Sequence, residues 1–150
     1  MSLIVLEEQS TPSTPSTNQS KVYPKAGGLF LLDDSGTETN LASGTTRTVT
    51  IASSATPTPN VDITDIYTIT ALAEAATFGA PTGTPVNGQK LIIRVKDNAS
   101  ARALSWNVIY REGADVALPA TTVLSKTLYC GFIYNSTDSK WDLLALVNNI

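Results

Sequence analysis

The sequence predicts an all-β fold, with an N-terminal extended arm and β-hairpin followed by a jelly-roll-like β-sandwich. Three observations predict it. Apolar and polar residues alternate with period two in several short runs, the pattern of strands with one buried face. Turn-forming residues separate those runs at short, regular intervals, as in sandwiches and barrels. Prolines and glycines break every stretch long enough to make a helix, so helix content is expected to be minimal. The 150 residues suit one ordinary domain with a real core, which is the working assumption for the organisation.

Three regions are expected: an arm at 1–20, a hairpin or meander at 21–40, and a sandwich at 41–150. Residues 9–20, QSTPSTPSTNQS, are low in complexity; their prolines favour extended backbone and their side chains supply nothing to bury. Before them stand Leu3, Ile4, Val5 and Leu6. This apolar run fits a strand added to a neighbour's sheet edge, and it equally fits a first strand of the same domain. Lys21-Val22-Tyr23 and Leu29-Phe30-Leu31-Leu32 are followed by the turn Asp33-Asp34-Ser35-Gly36 and the return Thr37-Glu38-Thr39, a compact meander. Residues 47–51 alternate, and a Pro/Thr/Ser loop through Asn60 follows them. The run 63–72 is the next strand, with Ile66, Thr68 and Thr70 on one face and Tyr67, Ile69 and Ala71 on the other. Residues 72–76 fit the start of a short helix, which Gly79, Pro81, Gly83, Pro85 and Gly88 would end at once. Strands are expected again at 91–96, 102–106, 128–134 and 141–147, about eight in all after Leu41.

Composition narrows the function classes. Hydrophobic residues make up 42% and charged ones 15% of the chain, so the surface is largely Ser, Thr, Asn and backbone, which suits rigid assembly. A net charge of -3 with Lys and Arg scattered offers no footprint for a polyphosphate backbone, so nucleic acid is not an expected partner. The opening segment lacks a basic n-region, is cut off by Glu7-Glu8 and is far shorter than a membrane span, so neither secretion nor membrane insertion is expected.

The familiar chemistries are missing their parts. There is no histidine and one cysteine, Cys130, which removes Ser-His-Asp and Cys-His nucleophiles, Cys/His zinc sites and internal disulfides. A Ser125-Lys126 dyad is disfavoured because adjacent strand residues point to opposite faces. The carboxylate pairs Asp33-Asp34, Asp62 with Asp65, and Asp138 with Asp142 have the composition of a glycosidase centre. Asp33, Asp34 and Asp138 are better read as turn residues. The segment 33–38 lacks the ligand spacing of a calcium loop, and 79–88 lacks the ending of a phosphate-binding loop. Trp106, Tyr110 and Trp141 could stack on a sugar if they shared an exposed face, though such aromatics more often anchor a core or a subunit contact. Cys130 reads as a small buried hydrophobe. No enzyme activity, cofactor or metal is expected.

Two segments resemble tailed-bacteriophage virion structural proteins. The first is Tyr23-Pro24-Lys25-Ala26-Gly27-Gly28-Leu29-Phe30 with Asp33-Asp34-Ser35-Gly36-Thr37-Glu38-Thr39, similar to a hairpin near the start of many phage fibre and decoration proteins. The second begins at Asn87-Gly88-Gln89-Lys90-Leu91-Ile92-Ile93-Arg94-Val95-Lys96-Asp97-Asn98 and runs through Ala103-Leu104-Ser105-Trp106. It continues through Leu128-Tyr129-Cys130-Gly131-Phe132-Ile133-Tyr134-Asn135 to Lys140-Trp141-Asp142-Leu143. It resembles the C-terminal β-domain of small head-fibre, decoration and tail proteins.

The resemblance implies a virion component, often a homotrimer, made in the host cytoplasm. The chain has neither coiled-coil heptads nor repeats to build a fibre shaft, which favours the capsid surface. The resulting expectation is a capsid decoration (cement) protein whose partners are the major capsid protein and its own copies. Its arm, above all Leu3, Ile4, Val5 and Leu6, would bind through added strands. The alternative is a receptor-binding or tail or neck fibre module that meets a host glycan through Trp106, Tyr110 and Trp141.

Overall fold

Alternating burial built on β-branched and aromatic residues makes strands throughout the computed structural model, which describes residues 10–26, 28–41, 46–148 and 150. Among them there are eleven strands and no helix, so the all-β class stands. The chain forms two compact units, 1–45 and 46–150.

The first unit holds a three-stranded antiparallel sheet in the order β1 (Lys21–Lys25), β2 (Gly28–Leu32), β3 (Glu38–Asn40). Tyr23 and Leu32 are its buried hydrophobic residues. The β2–β3 turn is closed by Gly36 N donating to the Asp33 carbonyl at 3.1 Å. Gly36 has φ +84°, a conformation that costs glycine nothing and a β-branched residue a great deal. Residues 10–20 are bonded to this sheet: Thr11 Oγ1 donates to Glu38 at 2.7 Å, Lys21 Nζ to the Ser13 carbonyl at 2.8 Å, and Asn18 N to Asp34 at 2.7 Å.

The second unit is built on a six-stranded sheet. Its strands, from one edge to the other, are β4 (Thr48–Ile51), β5 (Ile66–Leu72), β7 (Lys90–Asp97), β10 (Thr127–Asn135), β11 (Lys140–Val147) and β9 (Tyr110–Arg111). A two-stranded parallel sheet pairs β6 (Ala76–Phe78) with β8 (Leu104–Trp106). Eight strands, β4 to β11, follow Leu41, in line with the count of about eight, but β6 and β9 fall where the sequence predicts no strand. The segment 72–76 bends and enters β6 without making a helix. In the six-stranded sheet, β4–β5, β5–β7 and β9–β11 are parallel, and only β7–β10 and β10–β11 are antiparallel. A jelly roll leads one to expect antiparallel pairs throughout. Alternation in a sequence reports a strand's two faces and says nothing of its direction, so the mixed pairing is a finding of the structure.

Register divides the sheet's side chains into two sets. One set runs in rows: Val49, Tyr67, Ile93, Cys130 and Leu146; Ile51, Ile69, Val95 and Leu128; Leu91, Phe132 and Leu143; Tyr134, Trp141 and Tyr110. All of these residues belong to the hydrophobic core or pack against it, together with Leu72 at the end of β5 and with Val61, Phe78, Leu104 and Trp106 from outside the sheet. Each fully buried aliphatic side chain here contributes about 1.5–3 kcal/mol.

Candidate functional site

The opposite set of side chains forms an open face. Thr48, Ile66, Ile92, Gly131 and Ala145 make one row across five strands, and Thr50, Thr68, Arg94, Tyr129 and Val147 make the next. Lys90, Ile133, Asp142 and Arg111 flank them on one side, and Lys96 with Thr127 on the other. Several apolar groups on this face stay in solvent: Ile92 is 37% exposed, Val147 46%, and Leu144, at the β10–β11 bulge, 62%. Apolar groups left exposed in contiguous rows mark a contact surface, whereas single exposed hydrophobics need no explanation.

The bulge falls between Gly131 and Phe132, where Gly131 pairs with Ala145 and Phe132 with Leu143. Leu144 is thereby left out of the ladder, and the strand's alternation is re-phased so that both halves of β11 still bury their apolar side. Beside Gly131 and Ala145, with no side chain larger than a methyl, the face is low and flat.

Charge on this face is divided. Arg111 grips Asp142 with Nε and Nη2, at 2.7 and 2.9 Å, and reaches Asp138 at 2.8 Å. The guanidinium therefore holds the Asp142 carboxyl below its ordinary range. Arg94 and Lys96, by contrast, have no hydrogen bond or ion pair among the described residues. They line a shallow cavity of about 230 Å³ with Thr68, Ile69, Thr70 and Thr127. A larger open cavity of about 430 Å³ lies between Arg47, Val61, Asp62 and the 84–89 loop. Its charged groups are committed: Arg47 Nε donates to Asp65 at 3.0 Å, and Asp62 Oδ1 accepts from Thr84 N at 2.8 Å.

The residues singled out from the sequence fall in different places. Leu3, Ile4, Val5 and Leu6 lie outside the described residues. Tyr110 and Trp141 are buried in the body's own core, and Trp106 is half-buried. Trp106 stacks on Phe78 with centroids 4.3 Å apart, meets Tyr110 edge-on at 5.3 Å, and donates Nε1–H to the Pro119 carbonyl at 2.8 Å. The three aromatics thus share an interior, and they do not present a stacking platform for a sugar. Burial also pushes the Tyr110 hydroxyl up.

The carboxylate pairs are equally occupied. Asp33 Oδ1 accepts from the Ser35 hydroxyl at 2.6 Å, Thr37 N at 2.8 Å and Ser35 N at 3.0 Å. These donors, the Ser35 hydroxyl first, lower its pKa. Asp65 is lowered by Arg47. Ser125 and Lys126, read from the sequence as adjacent strand residues, lie instead in the turn before β10; Ser125 N donates to the buried Asp97 at 2.9 Å. Cys130 is buried, and burial pushes its thiol up to about 12. Among the described residues, no group of three or more His, Cys, Asp or Glu could hold a metal ion. Nor is any helix among them long and apolar enough to cross a membrane.

The open face is not visible in the sequence alone. Part of its signal lies in β7, where Ile92, Arg94 and Lys96 alternate with Leu91, Ile93 and Val95, but the neighbours that complete it come from four other strands. No protein-family model matches the chain, and no curated protein matches it either.

Proposed function

We propose that this chain is a virion structural protein that acts by assembly, a capsid decoration protein seated on the head of a tailed phage. The observation that carries the reading is the open face of the six-stranded sheet, with exposed Ile92, Leu144 and Val147 around a flat Gly131–Ala145 centre. A flat, partly apolar face fits a protein partner better than a small ligand, which needs a concave site. The two segments that resemble phage virion proteins supply the identity of that partner, the major capsid protein, and the expectation of a homotrimer. Leu3, Ile4, Val5 and Leu6 serve as a strand-adding arm. Ordering such an arm costs about 1–2 kcal/mol per residue, which burial and avidity across several arms must offset.

No specific observation favours the glycan-binding alternative, since Tyr110 and Trp141 lie within the core. Two experiments test the proposal. Gold-labelled antibody imaging of phage particles carrying the protein is expected to place label evenly over the head; label confined to the tail or neck would sink the decoration role. Removing residues 1–9 is expected to abolish capsid coating, and full occupancy by the truncated chain would refute the role given to the arm.

A further inference from the structure

The shallow cavity beside β7 combines three features that the proposed assembly role does not by itself explain. Arg94 and Lys96 stand two residues apart on β7, about 7 Å along the strand, and no carboxylate pairs with either among the described residues. Thr68, register partner of Arg94, is only 2% exposed, and its Oγ1 has no hydrogen-bond partner among the described residues. Thr70 and Thr127, the latter register partner of Lys96, bring two more hydroxyls to the same cavity. Asp142, the carboxylate on this face, is held by Arg111.

We propose that this cavity is a carboxylate site. A carboxylate has two oxygens and about four acceptor positions, enough to take donors from the Arg94 fork, the Lys96 ammonium and the Thr68 hydroxyl together. A buried hydroxyl left unpartnered carries a desolvation cost that such a ligand removes. The occupant is a peptide, because the cations share rows and strands with the apolar groups Ile92, Tyr129 and Val147. A partner matching both must carry apolar residues next to carboxylates. Leu3-Ile4-Val5-Leu6-Glu7-Glu8 has that order, so the occupant is this segment of a second copy. The assignment rests on the proposed role of the arm and names its acceptor.

The test uses the full chain carrying Glu7→Gln and Glu8→Gln, so that its own carboxylates do not compete, with a synthetic peptide of residues 2–10 as the probe. Amide shifts are followed by NMR. The peptide is expected to move Thr68, Arg94, Lys96 and Thr127 saturably. A peptide with both glutamates changed to glutamine, and a full chain also carrying R94Q and K96Q, should each bind at least tenfold more weakly. Thr68→Val should weaken binding several-fold while the rest of the spectrum keeps its dispersion. Unmoved amides, or equal binding by the R94Q/K96Q chain, would overturn the site. If acetate moves these amides and the peptide does not, the second copy is overturned as occupant and the cavity belongs to a small carboxylate. Capsid coating by the unaltered chain is measured separately: if it coats while the Glu7→Gln/Glu8→Gln chain binds no peptide, this site alone is refuted, and if the peptide binds but the unaltered chain does not coat, the decoration role alone is refuted.

Discussion

Replacing Trp141 by alanine separates a core role from a surface one. Trp141 is 1% exposed, sits in the row with Tyr134 and Tyr110, and meets Tyr134 with ring centroids 5.2 Å apart. A buried aromatic side chain removes roughly 150–250 Å² from water, which at about 25 cal/mol per Å² is worth about 4–6 kcal/mol. Partial collapse of the cavity reduces this, and truncations of this kind cost about 3–5 kcal/mol. The expected loss for Trp141→Ala is therefore about 4 kcal/mol. In urea, with a slope of about 2 kcal/mol per molar, the midpoint should fall by about 2 M. Trp106 remains as the other tryptophan, and its stacking on Phe78 makes its fluorescence a reporter of the same core. Val147→Ala on the open face is the control and should stay within about 1 kcal/mol. A Trp141→Ala midpoint within experimental error of the parent's would place this ring at the surface and refute the derivation.

The remaining predictions concern single buried or paired groups. Asp97, 3% exposed, accepts from Thr122 Oγ1, Ser125 N and Ala99 N at 2.9, 2.9 and 3.0 Å; Asp97→Ala should cost about 2–4 kcal/mol by thermal or urea unfolding, because it removes the acceptor of the buried Thr122 hydroxyl proton and of two backbone N–H groups. Glu38 is lowered to about 2 by Lys25 first, then Tyr23 and Thr11. Its folded pKa lies below its ordinary 4.5, so its contribution is present above pH 4.5 and lost as pH falls towards 2. Amide protection in β1 to β3 should decline across that window, and a Glu38→Gln chain that declines identically would refute the assignment. Cys130 should resist a thiol reagent at pH 8 in the folded chain and react fully in denaturant, since burial holds its thiol at about 12; rapid native-state labelling would contradict its place in the core row.

Much of the fold is legible along the chain because its signals are local. Period-two burial in β7, where Leu91, Ile93 and Val95 are buried between exposed Lys90, Ile92 and Lys96, needs only the geometry of one strand. The Asp33–Gly36 turn needs only a carboxylate that bonds two residues on and a glycine with positive φ. The lack of histidine excludes imidazole chemistry whatever the fold, since no arrangement of the chain can supply the missing ring.

The tertiary structure decided what depends on residues far apart in sequence. The two-residue strand β9 is too short to carry a period, and it exists because Tyr110 and Arg111 line up beside Trp141 and Asp142. Trp106, Tyr110 and Trp141 read the same whether they face sugar or core, and their packing placed them together inside. The row Thr50, Thr68, Arg94, Tyr129 and Val147 draws on five strands. Alternation fixes which face a side chain takes within its own strand, but register and strand order choose its neighbours, and those are set by long-range packing.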